Sequence, residues 1–402
     1  MDDSSTVTKR VLKIVHVITA LGPGGAERQV QLLASKSSHD VSVVCLYFRG
    51  IVGDQIEGAG GRVKVLGMKG IQKITALWRL RHIIRELSPD VVNVHLLSAQ
   101  VFGTIAARLA GVRVVVSTEH SLMDGSLEEL QTGRLFRTVY RILERMTFQT
   151  VAVSDTTRHR LMNLGVRDGR ISVIENGLDF ESLEFAPAIR QEVRDVIGVP
   201  GDEIVLGAVG RLVEQKKFDV LIQTVAPLLT SYDARLVILG DGPLRQYLEL
   251  TATLHHVGNR VMLVGSVSNV AHYLNAFDLF VSCSQDETFG LAIIEALGNG
   301  LSTIYGECPA LDEIGEIPGA VKVVPPDDEI SNVEALGLSE AIESAMKVGG
   351  RNPVSDVLIQ HYGADRMVAA YDDLYRDLKS REDIRSSLHG KRHRIHIQAG
   401  AR

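Results

Sequence analysis

The feature that most constrains this chain is an alternation that runs along it twice. Short runs of β-branched and aliphatic residues are separated by longer stretches with helical spacing. In the first half the runs are Lys13–Ile18, Val41–Tyr47, Val63–Leu66, Val91–His95, Val112–Thr118 and Val151–Val153. Helical stretches such as Ala26–Lys36, Ile74–Leu87 and Ala99–Ala110 lie between them. The pattern restarts with Ile204–Val209, Arg235–Leu239, Val261–Val264, Leu279–Ser282, Ser302–Tyr305 and Ala320–Val324. Strand–helix alternation of this kind predicts parallel sheets with helices on both faces. Two series predict an α/β protein of two doubly wound domains, because one open sheet of about twelve strands would be unusually wide. At 402 residues the chain has room for two separate cores.

The N-terminal domain is expected at residues 1–182 and the C-terminal domain at 200–363. The interval from Asn176 to Asp202 holds an Asn-Gly pair, Pro187, Pro200 and a charged helix-like segment, which reads as a linker. A closing helix at about 364–380 places Met367, Val368, Tyr371, Leu374, Tyr375 and Leu378 near helical spacing, so it is expected to pack back on the N-terminal domain. Residues 381–402 form a basic tail expected to be disordered.

A net charge of −6 argues against a general nucleic-acid binder, which needs cations to displace counterions. Cys45, Cys283 and Cys308 lack CxxC spacing and read as reduced thiols in a core. Residues 1–9 are polar with no apolar stretch of a signal peptide, and no run reaches the ~18–20 apolar residues of a spanning helix. A cytoplasmic protein is expected, with room for attachment to a membrane surface.

Four motifs carry chemistry. After the first strand, Gly22-Pro23-Gly24-Gly25-Ala26-Glu27-Arg28 opens a helix; glycines there let a phosphate approach the helix start, although a plain tight turn is an equal account. A dinucleotide fingerprint would need glycine where Glu27 stands, and a carboxylate there repels a pyrophosphate on the turn. Thr118-Glu119-His120 ends a strand, where His120 is either structural or turned toward an interdomain cleft, and His95 ends another. In Gly210-Arg211-Leu212-Val213-Glu214-Gln215-Lys216-Lys217, Arg211 and Lys216 leave a strand end, where they can grip a diphosphate or be solvated surface cations. Finally, Glu287-Thr288-Phe289-Gly290-Leu291 leads into a helix that carries Glu295. The helix start suits a phosphate, and the two carboxylates suit hydroxyls on either side of it. Gly240–Pro243 and Gly265-Ser266-Val267 are strand-end turns that fit a base pocket or a purely structural role.

Gly22–Glu27, His120, Gly210–Lys216 and Glu287–Glu295 occur in the order seen in the group 1, or family 4-like, retaining glycosyltransferases. Over roughly residues 11–380 the chain resembles that family. The resemblance implies a GT-B fold, two doubly wound Rossmann-like domains facing across a cleft. It implies a nucleoside-diphosphate sugar as donor, no metal and no resident cofactor. By the same resemblance Glu287 contacts the donor sugar hydroxyls and His120 faces the transferred sugar. Arg211 and Lys216 bind the diphosphate, and Glu295 holds the ribose. Gly24, Gly25, Val267, Thr288, Phe289, Gly290 and Leu291 complete the donor site. The chain departs from the family at Lys217, where a glycine usually follows the lysine. It departs again after Glu295, where Gly-Leu-Pro and a downstream Gly-Gly are only partly matched by Gly300-Leu301-Ser302 and Cys308-Pro309-Ala310.

Arg134, Arg137, Arg141 and Arg145 recur at helical spacing beside Phe136, Val139, Tyr140, Leu143 and Met146. Such a helix suits an anionic bilayer, or a buried face with a solvated basic flank. With the basic tail it favours a lipid-linked or glycan acceptor at the inner face of a membrane, as in cell-envelope glycan synthesis. A nucleotide-sugar epimerase on the same scaffold and a non-catalytic nucleotide-sugar-binding protein are the competing readings.

Overall fold

The structure, a computed structural model, describes residues 10–69, 73–120, 134–323 and 332–399. The chain divides into two compact units. One takes the chain up to residue 174 together with 365 onward, and the other takes 175–364. Among the described residues the first unit carries a seven-stranded sheet of β1 (Lys13–Ile18), β2 (Asp40–Cys45), β3 (Arg62–Val65), β4 (Val91–His95), β5 (Val114–Glu119), β6 (Gln149–Ala152) and β7 (Ile171–Val173). Its order is β3-β2-β1-β4-β5-β6-β7, and every pairing is parallel. The second unit carries six parallel strands, β8 (Ile204–Val209), β9 (Ala234–Leu239), β10 (Val261–Gly265), β11 (Leu279–Ser282), β12 (Ser302–Tyr305) and β13 (Ala320–Lys322), in the order β10-β9-β8-β11-β12-β13.

Both units are Rossmann-like, and the reason lies in where each series starts. The first strand of each series sits mid-sheet, and the chain winds outward from it in both directions. The order therefore reverses between β1 and β4, and again between β8 and β11. Loops leaving the carboxyl ends of strands at such a reversal splay apart and leave a crevice. Every residue of β4 and β5 is buried, as expected of strands covered on both faces. The strand β7 has no counterpart among the sequence-derived strands. It is three residues long and only partly covered, too short for a periodicity to register.

Two expectations need correction. The segment read as a linker belongs to the second unit, which begins earlier than the boundary expected at residue 182. Its helix Pro187–Ile197 starts on proline and stops at Gly198, and it is bolted down by Arg194. That side chain is 1% exposed, donates to the carbonyls of Ala276, Pro200, Gly201 and Glu203, and pairs with Asp278 at 2.7 Å. Charge there is a buried anchor rather than a sign of solvent. The basic tail also differs from expectation, because the last helix runs without a break from Ala364 to Ala399. Met367, Val368, Tyr371, Tyr375 and Leu378 pack against Leu12, Ile14, Val91 and Val114 of the first unit. Beyond them the nearly buried Glu382 is held by Arg113, Lys379 and Ser386, and Asp383 by Arg10, so the helix continues where apolar spacing ends. The side chains of Arg134 and Phe136, and Val324, lie outside the described residues.

Candidate functional site

In the second unit the loops at the carboxyl ends of the strands are tied into one platform. Gly240 N–H donates to the Gly265 carbonyl (2.8 Å), Leu212 N–H to Asp241 (3.0 Å), and Gln285 N–H to Gln215 (2.8 Å). These bonds link the loops after β8, β9, β10 and β11, so residues distant in sequence share one edge. Lys216 ends the short turn Glu214–Lys216 after β8, and its Nζ is ion-paired with Glu287 Oε1 from the loop after β11. Both side chains are only partly exposed, 25% and 16%. The sequence-derived pair thus meets at the reversal between β8 and β11.

Glu287 leads directly into the turn that starts the helix Leu291–Gly298. Gly290, the residue before that helix, has φ +95°, and a Cβ there would collide with the Sγ of Cys308. Glycine is therefore required on two grounds, conformation and space. The Cys308 thiol, pushed up to about 12 by burial, stays protonated and donates to the Phe289 carbonyl (3.4 Å). Phe289 is buried with its ring edge-on to Tyr362, whose hydroxyl donates to the Ala310 carbonyl (2.6 Å). The turn is braced from beneath, and the N–H groups of a helix start follow it. Glu307, which the sequence reading passed over, accepts the Glu287 backbone N–H at 3.3 Å. Glu295 lies inside the helix, one turn beyond Leu291. Thr288 and Val267 are half-buried, and Arg211 is exposed where the chain leaves β8.

Gly24, Gly25 and His120 lie in the first unit, and they form two separate features within it. Gly25 opens the helix Gly25–Lys36 with Gly24 as its cap, and the Glu27 carboxylate folds back over Gly24. His120 belongs to a chain of three buried histidines. His16 Nδ1 meets His95 Nε2 at 2.8 Å, and His95 Nδ1 meets His120 Nε2 at 3.0 Å. The strand register explains the chain. His16 pairs with Asn93, and His95 with Thr118, so each histidine stands two residues further along the same sheet face than the last. The rings climb diagonally across β1 and β4 to the carboxyl edge of β5. Burial lowers His16 to about 3, His120 to about 4 and His95 well below the usual range, so all three are neutral at neutral pH. The sequence reading missed His16, which interrupts an apolar strand.

Beside them Glu119 is 3% exposed, and its Oε2 accepts from Gln100 Nε2 and Tyr140 Oη, each at 2.9 Å. Burial outweighs those two hydrogen bonds and raises it to about 7. Tyr140 comes from the helix Arg134–Met146, where Tyr140 and Leu143 face the core. Arg137, Arg141 and Arg145 face outward with Val139 and Ile142. Among the described residues no helix is long and apolar enough to cross a membrane.

Comparisons with known proteins agree with this architecture. Residues 23–182 match the family model described as Glycosyltransferase Family 4, and residues 189–323 match Glycosyl transferases group 1. A putative glycosyltransferase, EpsF of Bacillus subtilis, is 28% identical over 311 residues, which is 73% of this chain and 79% of the relative. A UDP-Gal:alpha-D-GlcNAc-diphosphoundecaprenol alpha-1,3-galactosyltransferase of Escherichia coli is 30% identical over 241 residues, 58% of this chain and 62% of the relative. Among solved structures, Anabaena HepE in complex with UDP and glucose has a TM-score of 0.75 at 20% identity, covering 90% of this chain and 99% of that one. The fold class is that of the GT-B glycosyltransferases.

Proposed function

Because this chain belongs to the group 1 glycosyltransferases, we propose that it moves a sugar from a nucleoside-diphosphate sugar to a hydroxyl of a lipid-linked or polysaccharide acceptor in bacterial cell-envelope glycan synthesis. The observation that carries this reading is the meeting of Lys216 and Glu287 beside the helix start at Gly290 and Leu291. A cation and free N–H groups suit a diphosphate, and the carboxylate next to them suits sugar hydroxyls. The Escherichia coli relative, by its name, acts with UDP-galactose on a diphosphoundecaprenol-linked sugar, which supports the donor class and a lipid-linked acceptor.

In the proposed reaction the anomeric C–O bond breaks, and its electrons stay on the leaving diphosphate. Arg211, Lys216 and the turn N–H groups stabilise that charge where it develops. The acceptor oxygen bonds to the anomeric carbon on the face the diphosphate leaves, and its proton passes to a phosphate oxygen. This gives retention with no metal and no resident cofactor. Glu287 orients the sugar and Glu295 holds the ribose. The outward face of the helix Arg134–Met146, with its arginines, Val139 and Ile142, supports a place at an anionic membrane surface.

A panel of nucleotide sugars tested for thermal stabilisation names the donor, and that donor is then supplied with hydroxyl acceptors. The expected result is stabilisation by one donor class followed by an acceptor-dependent glycoside. Conversion of the donor sugar without acceptor would make the protein an epimerase. Stabilisation with no product on any acceptor would make it a binding protein.

A further inference from the structure

We infer that the helix Lys73–Leu87, through Trp78 and the arginines around it, makes a second contact with an anionic membrane surface beside that of the helix Arg134–Met146. This rests on the membrane placement proposed above and widens its footprint. The two helices cover the same face of the first unit's sheet. Val92 of β4 pairs with Val115 of β5, and Glu119 of β5 pairs with Ala152 of β6. Residues 115 and 119 are an even number apart, so all four point to one side. On that side Ala76, Leu80 and Ile84 share a core with Val92 and Val115, while Tyr140 packs with Ala152 and donates to Glu119. The helix Leu97–Ala110 packs against both. Three helices thus form one layer, with the outer two about 20 Å apart.

Opposite the buried stripe, Ile74, Trp78, Arg81 and Arg85 follow one another at spacings of four, three and four. Ile74 is 75% exposed and Trp78 54%. The Arg81 guanidinium lies over the indole, 5.5 Å from its centroid, and its Nε donates to the carbonyl of Leu109 at 2.9 Å. Leu109 is itself exposed, so ring, cation and aliphatic side chain make one patch across two helices. Tryptophan belongs at the headgroup level of a bilayer, where one part of the ring is apolar and its N–H is wet. Arg79, Arg81 and Arg85 suit anionic headgroups. The one carboxylate of this helix, Glu86, is ion-paired with Lys64 at 2.8 Å, so charge complementarity selects an anionic partner. Aliphatic side chains among the cations, Ile74 and Leu109 here and Val139 and Ile142 on the other helix, select acyl chains over a bare polyanion. Two such strips on one layer suit an extended lipid surface rather than a single bound peptide.

Trp78 is the only tryptophan of the chain, so its fluorescence reports on this surface alone. The full-length protein is mixed at low salt with phosphatidylglycerol-containing vesicles. The expected result is emission shifted to the blue and quenched by lipids brominated in their acyl chains, with no change on pure phosphatidylcholine vesicles. Arg85→Glu keeps the reporter and should lower vesicle partitioning about thirtyfold, the effect of reversing one charge at the surface. Trp78→Ala, followed by sedimentation, should lower it about tenfold through lost apolar contact. Sedimentation with vesicles without any change in emission overturns the inference and leaves the contact through the helix Arg134–Met146 standing. No sedimentation at all overturns both contacts and leaves sugar transfer untouched. An emission shift that follows protein concentration without lipid gives the patch to a second copy of the chain and overturns the proposal. A wild-type protein that shows the lipid-dependent shift but no transferase activity would instead sink the function.

Discussion

Lys216 and Glu287, 71 residues apart in the chain, form an ion pair that joins the loop after β8 to the loop after β11. The pair spans the reversal in strand order, so each side chain positions the other before any ligand arrives. That coupling makes their effects non-additive. Lys216→Ala and Glu287→Ala should each lower kcat/KM by at least ~10²-fold, by analogy with the loss of a preorganised charge-stabilising donor. The double variant should fall no more than about tenfold below the worse single one. Steady-state kinetics on the three variants measures this, and fully multiplicative losses would show that the residues act independently.

Glu295 stands apart from that pair, a helical turn beyond Leu291. A residue assigned to the ribose binds ground state and transition state alike, so its loss is uniform. Glu295→Ala should raise donor KM about tenfold, the worth of one hydrogen bond to a charged group, with kcat little changed. A loss confined to kcat would contradict the assignment.

Lys217 has φ +48° and ψ +40°, a left-handed conformation between the turn Glu214–Lys216 and the helix Phe218–Ser231. This is the position where the resemblance leads one to expect glycine, and the backbone has kept the shape that glycine favours. A side chain there costs about 1–2 kcal/mol, partly offset by the entropy a glycine would lose on folding. Lys217→Gly should therefore stabilise the protein by up to about 1 kcal/mol, and Lys217→Val should destabilise it. Denaturant unfolding decides between the signs.

How legible was all this in the sequence? The strands with apolar residues on both faces were readable because parallel sheets bury both faces, and the loops that follow them place Arg211, Lys216 and Glu287 at strand ends. What could not be read was anything fixed by register. His16 sits in the middle of β1 and looks like an interruption. Only the pairing of His16 with Asn93 and of His95 with Thr118 aligns it with His95 and His120. The segment that carries Arg194 reads as a linker for a related reason, since charge in a Pro-flanked stretch looks solvated until the carbonyl partners of Arg194 are known. The last helix was undercounted because Glu382 is held by ion pairs rather than by apolar spacing.

Membrane attachment makes its own prediction. Val139 and Ile142 are 43% and 52% exposed beside the outward arginines of the helix Arg134–Met146. Each cation near an anionic surface contributes about 1 kcal/mol, so reversing Arg137 removes about 2 kcal/mol, roughly a thirtyfold change in partitioning. Wild type should sediment with phosphatidylglycerol-containing vesicles at low salt, and Arg137→Glu should do so far less. No binding by the wild-type protein under those conditions would remove the membrane claim.

Glu119 links stability to pH in a direction opposite to that of most carboxylates. Burial raises it from an ordinary 4.5 to about 7, so between those values the folded protein holds a proton that the unfolded chain has released. The folded state then binds more protons, and stability falls as pH rises across that window. The contribution is fully present below about 4.5 and gone above about 7. Glu119→Gln keeps the shape and a carbonyl oxygen for Gln100 and Tyr140 but cannot ionise. The variant should match wild type near pH 5 and exceed it at pH 8 by up to about 3 kcal/mol, the worth of the raised value. The buried histidines titrate with the opposite sign, losing stability as pH falls from 6.5 through about 4. They are common to both proteins and cancel in the comparison. Thermal unfolding of the two proteins across this range is the measurement. A difference that stays constant from pH 5 to pH 8 would show that Glu119 is ionised in the fold throughout.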